Sequence, residues 1–180
     1  IAVKTLREDY PNIRFIGMEP AIKPAAKMTQ TGVVGVLATA GTLKSEKYLN
    51  HKQKYVDQVT FAEHVGEGFV ELVESGITSG PEVEYTVSRS IQPLLDAGAD
   101  TIVLGCTHYP FLADVIKRLA SRISESEIKL IDPAPAIAKH LVEVMDEEGI
   151  PHGPDIGKSF NIDLLTSGNQ EILETIFRQL

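Results

Sequence analysis

The sequence predicts an α/β fold built around a mostly parallel sheet. Short segments rich in aliphatic and β-branched residues alternate with longer amphipathic ones along the whole chain, as βα units require. The runs Val33-Val34-Gly35-Val36-Leu37-Ala38 and Thr101-Ile102-Val103-Leu104 are apolar at successive positions, which marks strands covered on both faces. Gly, Pro, Asp and Thr clusters separate the segments, as at Gly76 to Pro81 and Gly98-Ala99-Asp100.

Residues 1–9 place Val3, Leu6 and Tyr10 along one helical face. After Pro11, Asn12 to Met18 reads as a buried strand. Glu19-Pro20-Ala21-Ile22-Lys23-Pro24 reads as a loop, because two prolines in five residues oppose a regular helix. Strands are expected at 33–38, 58–62, 101–105, 127–131 and 160–166. Helices are expected at about 42–55, 67–75, 82–97, 111–122, 134–148 and 169–179. Gly149 is placed to stop the helix before it, and 149–158, with three glycines and two prolines, reads as a loop. There is no short-period repeat and no low-complexity segment.

Composition narrows the function. The 180 residues are enough for one large core or two small ones, and 43% hydrophobic with 23% charged residues is ordinary for a soluble globular protein. A net charge of −8 argues against nucleic acid as a main partner. No apolar run approaches the roughly 18 residues that span a bilayer. The first ten residues are amphipathic and charged, unlike a secretory leader. One cysteine makes no internal disulfide and no cysteine-paired zinc site, so a cytoplasmic setting without a metal is the default expectation. No capping residue precedes the first helix and the chain opens on Ile1, so a fragment lacking its N-terminal part is expected.

The chemistry concentrates at Gly105-Cys106-Thr107-His108-Tyr109-Pro110, where a buried strand should end. In open α/β sheets the carboxyl ends of strands are where ligands bind. Cys106, the one cysteine, reads either as a small buried hydrophobe or as a reactive thiol beside a histidine and a helix start. His108 reads as a general acid, a substrate ligand or a surface residue at a helix end. The other histidines (His51, His64, His140 and His152) lack metal-ligand spacing. The turn Ala38-Thr39-Ala40-Gly41-Thr42 ends a second buried strand. Thr42 is expected to cap the next helix, and the turn's hydroxyls and N–H groups also suit a carboxylate or phosphate. No Gly-x-Gly-x-x-Gly or Walker pattern supports a nucleotide. Glu74, near the end of Phe69-Val70-Glu71-Leu72-Val73-Glu74, opposes the helix dipole; it is either merely solvated or held for function.

Several stretches together resemble glutamate racemases, a branch of the aspartate/glutamate racemase superfamily. They are Gly17 to Ala25, Gly35 to Tyr48, Phe69 to Glu74, Gly105 to Pro110 and Ile131-Asp132-Pro133-Ala134, in the family's order and over most of the chain. The resemblance implies two Rossmann-like or flavodoxin-like α/β domains with the site between them. Residues 1–27 and 126–180 would be parts of the first, incomplete here, and 28–125 the complete second. It implies a cofactor-independent racemase acting on glutamate, in which two cysteines face opposite sides of the α-carbon. Cys106 would be the second of the pair, acting on the L-enantiomer. Thr39, Thr42, Thr107 and His108 would contact substrate, and His108 would also support the thiol, assisted by Glu74. A possible homodimer follows from the habit of the family, and D-glutamate would serve peptidoglycan synthesis.

Two departures qualify the resemblance. Gly66-Glu67 stand where family members often carry Cys-Pro just before Phe69. The family's Asp-Ser segment and its Cys-Asn-Thr run are absent, so the chain is expected to start just after the first catalytic cysteine and to racemise poorly alone. Two alternatives stay open: a racemase for another acidic amino acid such as aspartate, and a non-catalytic domain binding an acidic metabolite or a protein partner.

Overall fold

A computed structural model describes residues 2–18, 20–151 and 162–178. Among the described residues four strands form one parallel sheet: β1 (Val33–Ala38), β2 (Thr60–Val65), β3 (Thr101–Gly105) and β4 (Lys129–Ile131), in the spatial order β2-β1-β3-β4. That order places β1 and β3 side by side in the middle, paired from Val34 with Thr101 to Ala38 with Gly105. Chain connections leave β1 toward β2 on one side and approach β3 on the other. The boundary between β1 and β3 is therefore a topological switch point, where the loops after the two strands diverge and open a crevice.

The central strands are apolar at every position but the buried Thr101, because helices cover both faces. Leu37, Ile102 and Leu104 pack with residues of α5 (Phe69–Glu74), α6 (Pro81–Asp96) and α7 (Ala113–Ile123). Val34, Val36, Ala38 and Val103 pack on the other face with Ile22 and Ala25 of α2 (Ile22–Met28) and Tyr48 of α4 (Glu46–Gln53). At two places the packing needs glycine. A Cβ on Gly35 would lie 3.1 Å from Ile102 Cγ1, and one on Gly105 only 2.7 Å from the Ala38 Cβ. The second case brings the carboxyl ends of β1 and β3 into close contact at the mouth of the crevice.

Two acids, the buried Asp100 and the exposed Glu63, tie the layers together. Asp100 precedes β3 and accepts hydrogen bonds from the Thr29 hydroxyl (2.6 Å), the Gln30 N–H (2.6 Å) and the Thr31 N–H (3.0 Å). Burial alone would raise its pKa, but these donors outweigh it and hold the carboxyl below its ordinary value. On β2, Glu63 accepts from the buried Tyr48 hydroxyl and from Lys52 Nζ at 2.6 Å. Burial first, then the hydrogen bond donated to Glu63 and the Glu63 charge, push the Tyr48 phenol far up, so it stays protonated and donates.

Several expected elements differ. Residues 12–18 form no strand: Ile13 is half exposed, and the Phe15 carbonyl accepts from the Arg7 side chain rather than from a neighbouring strand. The expected loop at 19–24 turns helical from Ile22, because Pro24 falls in the first turn of α2, where an N–H has no intrahelical partner anyway. The helix expected at 42–55 is two: α3 (Ala40–Leu43) and α4, broken at Ser45, which caps α4 by accepting from the Tyr48 N–H. Strand β2 begins two residues later than expected and ends three later, and β4 is shorter. The helix expected at 111–122 begins as a 3₁₀ turn, Tyr109–Leu112, before α7. Residues 162–166 form no strand; 152–161, which hold the rest of that expected strand and much of the expected loop, lie outside the described residues. The helices α1 (Ala2–Asp9), α8 (Ala134–Glu147) and α9 (Gln170–Phe177) lie close to expectation. No helix among the described residues is long and apolar enough to cross a membrane.

Candidate active site

A cleft of about 230 Å³ opens at the switch point, lined by Met18, Pro20, Thr39, Thr42, Gly105, Cys106, Thr107 and Pro133. Its floor is the close contact of β1 and β3, and its walls are the turns that leave them. A larger hollow, about 500 Å³, runs along α9 beside Ile162, Leu165 and Phe177. Leu165 there is 88% exposed, and none of the residues that the sequence marks for chemistry reaches it. The smaller cleft is the candidate site.

Cys106 is the first residue after β3 and is half-buried in the cleft wall. Its Sγ lies 3.8 Å from His108 Nδ1, and the Thr107 hydroxyl lies 3.3 Å from the same nitrogen. On the far side of the ring, His108 Nε2 meets Glu74 Oε1 at 2.6 Å. An ionised carboxylate only accepts, so the Glu74 contact assigns the imidazole proton to Nε2. Nδ1 is then a lone pair facing the thiol and the Thr107 hydroxyl. Carboxylate, imidazole and thiol thus form a line, with the sulfur at the end that reaches the cleft. Glu74 and His108 stand behind Cys106 and do not line the cleft themselves.

The opposite wall is built by hydroxyls. Thr39, not Thr42, caps α3: its Oγ1 accepts from the Thr42 N–H at 3.2 Å. The expectation for Thr42 fails because the helix starts at Ala40, placing Thr42 inside it. The Thr39 and Thr42 hydroxyls are 3.0 Å apart. One donates to the other, which leaves one O–H free to donate into the cleft. With the Thr107 hydroxyl, also on the lining, the cleft has neutral donors facing a sulfur base.

Tyr109 anchors the turn. It is fully buried, meets Phe69 edge to face at 4.9 Å and donates from its hydroxyl to the Gly66 carbonyl at 3.3 Å. Burial first, and negative charge at Cys106 and Glu71 after it, push the phenol far above its ordinary range, so it remains a donor. The structure therefore gathers Thr39, Thr42, Cys106 and Thr107 on one cleft, with His108 and Glu74 as its backing. Met18, Pro20 and Pro133 are lining residues that reading the sequence for chemistry passes over, although both stretches that hold them carry the resemblance to racemases. Among the described residues, no group of three or more His, Cys, Asp and Glu side chains is placed to hold a metal ion.

Comparisons with known proteins bear on this arrangement. The family model described as Asp/Glu/Hydantoin racemase matches residues 1–141. The glutamate racemase of Pseudomonas putida (strain GB-1) is 40% identical over 176 residues, which is 97% of this chain and 63% of that protein. The glutamate racemase of Roseiflexus sp. (strain RS-1) is 37% identical over 179 residues, 99% of this chain and 64% of that protein. The crystal structure of Escherichia coli glutamate racemase in complex with L-glutamate and the activator UDP-MurNAc-ala is similar with a TM-score of 0.72 and 28% identity. That match covers 98% of this chain and 65% of the other. The chain spans from about half to just under two thirds of the length of the curated relatives it matches.

Proposed function

The chain belongs to the Asp/Glu/Hydantoin racemase family, and from that premise we propose that its protein interconverts L- and D-glutamate without a cofactor. Curated relatives named glutamate racemase, and a similar structure that holds L-glutamate, support the choice of substrate. The observation that carries the reading is the line from Glu74 through His108 to Cys106, ending at a cleft whose other wall is hydroxyls.

In this reading Cys106 acts as a thiolate on one face of the substrate. The sulfur takes the α-proton, the C–H bond breaks, and the electron pair spreads onto the substrate carboxylate. The α-proton is a very weak acid, so the base must be held close and correctly aimed. His108 accepts the thiol proton at Nδ1, and Glu74 stabilises the imidazolium so formed. The free hydroxyl of the Thr39–Thr42 pair and the Thr107 hydroxyl donate to the carboxylate, where negative charge grows. A proton returned to the opposite face gives the other enantiomer. Two similar bases, one on each face, suit a reaction that runs both ways; in a two-cysteine scheme Cys106 serves the L-enantiomer. Cys106 is the single cysteine of these 180 residues, so its counterpart is not a cysteine of this chain, which alone is expected to racemise poorly.

The cleft draws its lining from 1–27 (Met18, Pro20), from 28–125 (Thr39, Thr42, Gly105 to Thr107) and from 126–180 (Pro133), as a site between two domains would. D-glutamate made in the cytoplasm would supply peptidoglycan synthesis. A substrate panel on the full-length protein tests the assignment: turnover of L- and D-glutamate well above that of aspartate is expected, and turnover of aspartate alone would overturn it.

A further inference from the structure

We infer that Gly66 and Tyr109 form a buried clasp that sets the position of His108 against Cys106, which makes both of them positioning residues for the proposed thiol chemistry. Gly66 has a negative φ, unlike Gly68 and Gly76 nearby, so the backbone conformation does not call for glycine there. Space does. A Cβ at position 66 would lie 2.6 Å from the Tyr109 hydroxyl oxygen, 2.7 Å from its Cζ and 3.0 Å from its Cε2. All three atoms belong to a fully buried ring held edge-on by Phe69, so the ring has no easy retreat.

The same glycine joins both halves of the cleft through its backbone. Its N–H donates to the Ala38 carbonyl at 3.2 Å, one residue before Thr39. Its carbonyl accepts from the Tyr109 hydroxyl at 3.3 Å, one residue after His108, and from the Phe69 N–H at 3.3 Å, where the helix carrying Glu74 begins. The Tyr109 N–H in turn donates to the Cys106 carbonyl at 3.3 Å. Displacing the ring therefore moves His108 relative to the thiol on one side and to Glu74 on the other. A shift of about 1 Å at such a contact costs on the order of a hundredfold in rate when the geometry matters.

The inference rests on the reading of Cys106 as the base, but its test does not depend on turnover. In the full-length protein, Gly66→Ala and the milder Tyr109→Phe are compared with wild type by two readouts. One is the rate of Cys106 alkylation by iodoacetamide at pH 7, counted by mass spectrometry at this residue. The other is the NMR signal of the hydrogen-bonded His108 Nε2–H. Gly66→Ala is expected to slow alkylation by about tenfold, as loss of an aligned histidine does to a thiol, and to displace the Nε2–H signal. Tyr109→Phe is expected to do the same to a smaller degree. Added to His108→Ala, neither substitution should slow alkylation further. If Gly66→Ala does not fold, Tyr109→Phe decides alone. Folded variants with wild-type alkylation and an unmoved Nε2–H signal would overturn the clasp, even with a lowered melting temperature. A failed glutamate assay beside slowed alkylation would overturn the functional reading and leave the clasp standing.

Discussion

Replacing Glu74 by glutamine removes a charge while keeping an acceptor oxygen for the His108 Nε2–H, so it isolates the electrostatic part of the relay. The carboxylate sits 2.6 Å from the ring nitrogen, with the Glu74 side chain 68% exposed and that of His108 29% exposed. Two unit charges about 4 Å apart interact by about 1 kcal/mol in water and about 4 kcal/mol at an effective dielectric of 20. Exposure of the acid places this pair near the lower limit, at about 1–1.5 kcal/mol. At 1.36 kcal/mol per tenfold in rate, kcat should fall about fivefold to thirteenfold in Glu74→Gln. KM should hardly change, because Glu74 does not line the cleft. Circular dichroism of L-glutamate conversion by the full-length protein measures both constants. Raising the salt should slow the wild type and leave the variant nearly unaffected. An unchanged kcat would remove Glu74 from the chemistry. A loss beyond about a thousandfold would also refute the reasoning, since a screened charge behind the histidine cannot supply that much.

Three further outcomes follow from other parts of the structure. Gly105→Ala would place a Cβ 2.7 Å from that of Ala38, so β1 and β3 must part at the cleft floor; the cost should be about 1–3 kcal/mol, read as a lower melting temperature. Thr39→Val deletes both a helix cap and a hydroxyl of the cleft wall; stability should drop by about 1 kcal/mol, and KM for glutamate should rise about tenfold or more, the weight of a hydrogen bond to a charged group. Asp100→Asn should destabilise by about 1.5–3 kcal/mol at neutral pH, because it weakens three accepted hydrogen bonds. The Asp100 carboxyl is held lower folded than unfolded, so its contribution is complete above the unfolded value of about 3.9 and is lost as pH falls through the folded one. Denaturant unfolding from pH 7 downward should therefore show wild type and Asp100→Asn converging in acid.

Much of the sheet is legible in the residues because β1 and β3 are buried on both faces, and an unbroken apolar run has few other uses. The turn after β3 is legible for a different reason: Cys106 and His108 stand two apart at the end of such a run, where side chains meet a crevice. Residues 12–18 mislead because an apolar segment becomes a strand only when a neighbour pairs with its backbone, and here an arginine side chain takes the Phe15 carbonyl. Pro24 misleads because proline is excluded from a helix interior but not from a first turn. The cap at Thr39 hangs on a shift of two residues in a helix start. The Glu74–His108 contact spans 34 residues and depends on how α5 packs against the Tyr109 turn. Only a resemblance could point to it in advance. Met18, Pro20 and Pro133 enter the cleft through topology, and nothing in their own chemistry announces that.

The most direct test of the account is isotope exchange at the α-carbon in deuterated water, with full-length wild type and Cys106→Ser, starting from each enantiomer separately. Cys106 as the base for L-glutamate predicts that the substitution abolishes exchange from L-glutamate. D-glutamate should still take up deuterium, with retention, through the other base. Equal loss from both enantiomers, or wild-type exchange from L-glutamate without the thiol, would contradict it.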